Sequence, residues 1–249
     1  MTYLLFHLLF TLPVVLLLGI FARGKLGFSQ APLISRLSIP CIVLVAVVYT
    51  TPWDAALIAK GVWGYGEGVV SMTGWGIPAG EYAFFVIQTC LTGLLLHILI
   101  PRLGKSLGRQ QPANLGEQQA RWAGIGICLQ LFLFGVLCVT HAPTFYFGSI
   151  LVWCAPILLL QWAIGGHHLW RMRGLLFTAV MLPTLYLWVL DWLAVRMGLW
   201  HFSAELTTGL ALFGLPLEEM LFFFVANVMV VQGLALYHQV VLCWQPGTA

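Results

Sequence analysis

Seven stretches of this chain are long and apolar enough to cross a lipid bilayer, approximately residues 3–21, 37–53, 80–100, 122–140, 145–164, 174–194 and 212–237. A spanning helix needs about 20 such residues, because hydrocarbon offers no partner to a backbone amide and each must be satisfied within the helix. The pattern predicts an all-α polytopic membrane protein with seven transmembrane helices. The first stretch has no basic leader and no small-x-small cleavage site, and it is too long for a signal core. It is therefore expected to stay as a helix of the mature protein.

Charge is scarce enough to be placed residue by residue: 11 bases and 8 acids make up 8% of the 249 residues. Arg23, Lys25 and Arg36 follow the first stretch, Arg102, Lys105, Arg109 and Arg121 the third, and Arg171 and Arg173 the fifth. Of the bases, Lys60 and Arg196 alone fall in the alternate loops. The positive-inside rule then predicts an N-terminus outside and a C-terminus in the cytoplasm of a multi-pass cell-membrane protein. A net charge of +3 scattered over short loops offers no nucleic-acid surface. Cys41, Cys90, Cys128, Cys138, Cys154 and Cys243 lack CxxC spacing and read as small packing residues. His167–His168 reads as a headgroup-level loop rather than a metal site, having no third ligand nearby. Gly64-Tyr65-Gly66-Glu67-Gly68 has neither the spacing nor the flanking strand and helix of a dinucleotide loop. No cofactor and no metal is expected.

The acids are not scattered. An internal repeat aligns Trp53-Asp54, Trp63-Gly64-Tyr65 and residues 76–85 with Leu190-Asp191-Trp192, Trp200-His201-Phe202 and residues 214–223, at an offset of 137 that becomes 138 after one insertion. Asp54 matches Asp191, Glu67 matches Glu205, Glu81 matches Glu219, and Pro78 matches Pro216. The expected organisation is a first three-helix repeat (1–101), a loop and connector helix (102–143) and a second repeat (144–249). One connector helix makes the repeats parallel, related by a pseudo-two-fold axis along the membrane normal. Seven of the acids, Glu218 included, lie in the two matched segments; Glu117 is the eighth.

A proline followed by carboxylates is also an ordinary helix start, with Pro near N1 and acids against the positive end of the dipole. Capping alone does not require Asp54 and Asp191, and an acid at bilayer depth costs roughly 2.5–3.5 kcal/mol unless it lines a polar or reactive cavity. Helical spacing sets Glu81, Phe85 and Thr89 on one ridge with Gln88 beside it, and Glu219, Phe223 and Asn227 on the other. Glu218 points about 100° from Glu219, so the expected partner of Glu219 is Glu81 across the axis. Trp53, Trp63, Tyr65, Trp75 and Tyr82 in one copy, and Trp192, Trp200, Phe202, Phe222 and Phe223 in the other, surround these acids. About half fit an interfacial belt; rings facing the acids could stabilise a carbocation. Acid beside an aromatic box points to cationic cyclisation.

Taken together, Thr51-Pro52-Trp53-Asp54, Trp63-Gly64-Tyr65, Ile77-Pro78-Ala79-Gly80-Glu81-Tyr82, Leu190-Asp191, Gly198-Leu199-Trp200 and Pro216-Leu217-Glu218-Glu219 with Asn227 resemble the integral-membrane lycopene cyclases, in the fused two-repeat form. The resemblance spans nearly the whole chain. It implies a carotenoid cyclase that forms β-ionone-type rings on lycopene or a related linear carotenoid with no net redox change. An acid protonates the terminal C1=C2 alkene, the C5=C6 double bond attacks the tertiary cation, and a base removes the proton from C6. The family's Pro-x-Glu-Glu/Asp motif carries this proton traffic onto Glu218, Glu219 and Glu81, with Asp54 and Asp191 as groups that orient or reload the acid. Trp53, Tyr65, Tyr82, Phe85, Gln88, Trp192, Trp200, Phe223 and Asn227 are the candidates for substrate binding and cation stabilisation. Gly80 departs from the motif, so one of four expected carboxyls is absent and a single cavity between the repeats is expected. Partners would be the carotenoid, membrane lipid and other enzymes of the same pathway.

Competing readings remain at this level. Three plus one plus three parallel helices also describe some small-solute carriers, although these need a wet path through apolar span centres. A retinal protein is excluded because Lys25, Lys60 and Lys105 are the only lysines and none lies in the last span. A prenyltransferase would carry Asp-rich clusters for Mg²⁺ and diphosphate, which are lacking. Within the cyclase class, the alternative is another isoprenoid, such as a C50 carotenoid or a terpenoid-quinone side chain.

Overall fold

The computed structural model of the chain describes residues 1–23, 36–104, 107 and 111–243; Lys25, Lys105 and Arg109 lie outside them. Among the described residues, seven helices are long and apolar enough to span: α1 Tyr3–Ala22, α2 Ser38–Lys60, α3 Ala79–Leu103, α4 Leu115–Cys138, α5 Phe145–Arg171, α6 Arg173–Arg196 and α7 Leu217–Cys243. The protein is an all-α polytopic membrane protein. Half or more of the apolar window of α3, α5, α6 and α7 is buried, against about a fifth for α1, α2 and α4, so the first four make the interior.

Several boundaries differ from the sequence reading: α4 starts at Leu115, seven residues earlier than expected. Helix α2 continues two turns beyond residue 53, which places Asp54 inside a helix. His167 and His168 belong to the last turns of α5 instead of a loop, because Met172 alone separates α5 from α6 and leaves no room for one. Helix α7 starts five residues later than expected, because residues 211–216 form a hairpin.

That hairpin is one of three small two-stranded ladders outside the helices: β1 (Trp63–Tyr65) with β4 (Trp200–Phe202), β2 (Thr73–Gly74) with β3 (Ile77–Pro78), and β5 (Ala211–Leu212) with β6 (Leu215–Pro216). The latter two turn identically. Trp75 and Gly76 take φ of 53° and 81°, Phe213 and Gly214 take 55° and 92°, the double left-handed backbone that a two-residue hairpin with native twist requires. Each hairpin delivers its proline directly to a helix start. Pro78 occupies the N-cap of α3, one position before the expected N1.

Contacts recur at the repeat offset. In the β1–β4 ladder Trp63 pairs with Phe202 and Tyr65 with Trp200, a reciprocal exchange of matched positions that characterises a two-fold contact. Ser203 N–H donates to Val62 O at 2.8 Å and Gly66 N–H to Leu199 O at 3.0 Å, again reciprocal. Tyr49 O–H donates to Trp153 O at 2.7 Å and Tyr186 O–H to Phe10 O at 2.6 Å, tying α2 to α5 and α6 to α1.

Several buried polar groups pair between the helices. Gln88 Nε2 and Thr92 O–H both donate to Asn227 Oδ1, at 2.7 and 2.6 Å, and Asn227 Nδ2 donates to Thr184 Oγ1 at 2.9 Å, joining α3, α7 and α6. In an apolar medium such amide bonds hold helices together where the hydrophobic effect cannot. Farther along, His97 Nδ1 must donate to Gly93 O at 2.7 Å, which leaves its Nε2 to accept from His238 Nε2 at 3.0 Å. Glu117, the acid outside the repeats, has a local role. It completes a capping box with Asn114 at the start of α4 and takes a two-pronged bond from Arg171, at 2.8 and 2.7 Å, pinning the end of α5.

Candidate active site

The helix starts of α3 and α7, the C-terminal ends of α2 and α6, and the first turns of α1 and α5 line one chamber. Asp54, Glu81, Asp191 and Glu219 all line it, and all are buried, at 3%, 9%, 3% and 6% exposure. Among the described residues no lysine or arginine lines it, so the four carboxyls share an apolar, aromatic surround without such a counter-charge.

Hydrogen bonding separates the two glutamates. Glu81 accepts at both oxygens, from Tyr65 O–H at 2.6 Å and from Tyr3 O–H at 3.2 Å. Glu219 accepts at Oε1 alone, from Tyr146 O–H at 2.5 Å; among the described residues nothing donates to its other oxygen. Both oxygens of Glu81 are thus engaged as acceptors, whereas the second oxygen of Glu219 is left open among the described residues. Burial first, then the neighbouring Glu81 carboxyl, pushes the Tyr65 hydroxyl well above its ordinary range, so it acts as a neutral donor. Trp63 Nε1 donates to the Tyr65 oxygen at 2.9 Å and extends this chain. In the second repeat Phe202 stands where Tyr65 stands in the first, and Trp200 Nε1 donates instead to Asp191 Oδ1 at 2.8 Å. Asp54 Oδ2 and Asp191 Oδ2 are buried without a partner among the described residues.

Rings form the rest of the wall. Trp53 stacks on Trp153 at 4.7 Å and on Phe222 at 5.8 Å, while Phe84 meets Phe223 edge-on at 5.7 Å. Ring faces of this kind attract a cation through their quadrupole, most strongly where water is excluded.

The structure brings together Glu81, Glu219, Asp54, Asp191, Trp53, Trp200 and Phe223 at the chamber, with Tyr65 one hydrogen bond behind. Other expected residues lie elsewhere. Glu218 is fully buried but outside the lining, where its Oε1 accepts from Thr208 N–H and O–H, each at 2.7 Å, and braces the loop before β5. Tyr82 donates to Gly74 O at 3.2 Å across its hairpin, and Trp192 donates to Phe213 O at 3.1 Å with Arg196 over its ring. Gln88 and Asn227 belong to the interhelical network, and Phe85 lines a neighbouring apolar groove together with Gln88. Glu67 and Glu205 are exposed. Pro78 and Pro216 end the hairpins that launch α3 and α7.

Sequence reasoning missed Tyr3 and Tyr146, the donors to the two glutamates. They are equivalent: each N–H bonds the loop of its own repeat, Tyr3 to Val69 O and Tyr146 to Leu206 O, both at 3.0 Å. Extending the repeat into its first helix with a six-residue change of offset, from 137 to 143, would have matched them. Gly80 is explained by the same tyrosine. The ring of Tyr3 packs where a Cβ at position 80 would lie, so the fourth motif carboxyl is excluded sterically. His7 was also missed. A π-turn over His7–Thr11 turns both residues to the chamber, with His7 Nδ1 and Thr11 Oγ1 at 2.9 Å; such turns recur at functional sites.

A chamber of acids and aromatic rings built by six of the seven spanning helices defines an integral-membrane cyclase. Neither a protein-family model nor a solved structure matches the chain, but curated proteins do. It is 40% identical over 235 residues to a lycopene β-cyclase of Halobacterium salinarum, covering 94% of both chains. It is 37% identical over 240 residues to a bifunctional lycopene cyclase/phytoene synthase of Gibberella fujikuroi, covering 92% of this chain and 38% of that one. A protein of the same description from Phaeosphaeria nodorum is 38% identical over 250 residues. The chain belongs to the lycopene β-cyclase family.

Proposed function

We propose that this protein closes β-ionone-type rings on the linear ends of lycopene or a closely related carotenoid, by proton-initiated cyclisation inside the membrane. The observation that carries the mechanism is the chamber itself: four buried carboxyls, no basic side chain of lysine or arginine, and aromatic walls. Glu219, held by Tyr146 at one oxygen, donates a proton from the other to C2 of the terminal alkene. The C1 cation forms beside the rings of Trp53, Phe222 and Phe223, and C6 attacks C1 to close the ring and pass the charge to C5. Glu81, prepared as an acceptor by Tyr3 and Tyr65, takes the proton from C6, and the C5=C6 double bond is restored. One proton enters and one leaves, so the reaction is redox-neutral. Asp54 and Asp191, on the same wall, return the proton to Glu219.

The chain is read as two parallel three-helix repeats, 1–101 and 144–249, around a connector; the reciprocal β1–β4 pairing and the matched tyrosine ties support this. Nine of the 11 bases fall in alternate loops, which supports an outer N-terminus and a cytoplasmic C-terminus in the cell membrane. The chamber then opens its chemistry in the outer leaflet, where other enzymes of the pathway would deliver the carotenoid. Expression in a lycopene-accumulating bacterium, with identification of the pigments, tests the reading. Cyclised carotenoid is the expected product, and unchanged lycopene counts against it.

A further inference from the structure

We propose that the apolar groove between α2 and α5, backed by α7, holds the unreacted polyene while its end group occupies the acid chamber. This rests on the cyclase reading above and adds the path by which a long hydrocarbon reaches the acids from the lipid. The groove shares Phe84 and Phe222 with the chamber, so these two rings are the partition between them. The chamber and the groove together follow α7 from Glu219 to Val230, about 16 Å at the helical rise.

Its limits are drawn by hydrogen bonds between helices. At the outer end Trp53 Nε1 donates to Ser149 O at 3.2 Å and Tyr49 O–H to Trp153 O at 2.7 Å, so α2 and α5 are tied together beside the chamber. At the inner end Gln161 Nε2 donates to Met229 O at 2.8 Å and joins α5 to α7. Between these ties the helices part. Val45 lines the groove yet is 55% exposed, on a face that also presents Leu44 and Val48 to the surroundings, whereas Ala226 forms the buried back wall. In a bilayer that opening meets acyl chains, not water. An end group entering there slides under the Tyr49 tie and past Phe84 and Phe222 to reach Glu219, and the remaining chain lies where small and branched side chains leave room. The proton donor stays dry throughout, because no water-facing door is needed.

The test is steady-state conversion of lycopene by the full chain in liposomes. Val45→Trp blocks the mouth from a lipid-facing position that folding does not depend on; Ala226→Leu fills the back wall. Leu137→Trp, on α4 at 65% exposure, is the lipid-facing control. Val45→Trp is expected to raise KM about ten-fold or more, with kcat within about two-fold, as overpacking of an apolar site would; the control should match wild type. Val45→Trp at wild-type KM, or a loss confined to kcat, overturns the groove. Ala226→Leu with equal thermal stability must show the same KM effect, and a variant that fails to fold leaves Val45→Trp to decide. Absence of cyclisation by wild type and control alike would instead refute the cyclase reading.

Discussion

Replacing Glu219 and Glu81 singly by glutamine should separate two carboxyls that the sequence presents as equivalents. Glutamine keeps the shape of glutamate and cannot supply an acidic proton. At position 219 the amide oxygen can take over Oε1, still accepting from Tyr146, and the amide nitrogen falls where no described donor points. The fold should therefore tolerate the change, while the proton donor is lost. General acid catalysis is worth about 10²–10⁴-fold, roughly 3–5 kcal/mol of barrier, and this is the expected fall in kcat. At position 81 both oxygens accept, so the new amide nitrogen faces the hydroxyl of Tyr3 or Tyr65 and one hydrogen bond must be rearranged. That variant should lose about 1 kcal/mol of stability. It should also slow deprotonation, so that single-turnover reactions stall after ring closure or release unusual double-bond isomers. The assay is conversion of lycopene in proteoliposomes, with products resolved by chromatography and stability followed by thermal inactivation. Glu219→Gln within about ten-fold of wild type would refute the donor assignment, since that residual lies below the least that a general acid contributes. Equal defects in both variants, with the same product, would refute the division of roles.

Three further outcomes follow from the same geometry. Tyr146→Phe leaves Glu219 without a described hydrogen-bond donor and should cost roughly 1–3 kcal/mol, read as slower turnover that is not additive with Glu219→Gln; simple additivity would mean that the tyrosine acts elsewhere. Gly80→Ala forces a methyl group against the ring of Tyr3 and should destabilise by about 1–3 kcal/mol, measured by thermal inactivation, whereas Gly74→Ala in the nearby hairpin should be milder. Reaction in D₂O should place less than one deuterium at C2 of each new ring by mass spectrometry, because the proton taken from C6 is returned to Glu219. Full labelling at C2 would refute that return.

Much of this was legible in the chain. Long apolar runs dictate helices because hydrocarbon penalises any unsatisfied amide, and the acids repeated within them at Asp54, Asp191, Glu81 and Glu219 marked the site because an acid at that depth needs a cavity. Helical periodicity correctly set Glu218 away from Glu219, but it could not say that the loop at Thr208 would take it. The family motif alone placed Glu218 among the reacting groups. Tyr3 and Tyr146 carried no signal in composition, since a tyrosine near the membrane surface has an ordinary explanation.

The sequence by itself determined the number of helices, the family and the positions of the four carboxyls, because each follows from local hydropathy or from ordered motifs. Only the tertiary structure decided which of the two matched glutamates has an oxygen that no described donor reaches, why position 80 must be glycine, and where a hydrocarbon chain can enter. Those depend on how the first helix of each repeat lies over the third and on which helices are tied together. Such contacts join residues far apart along the chain, and no local pattern encodes them.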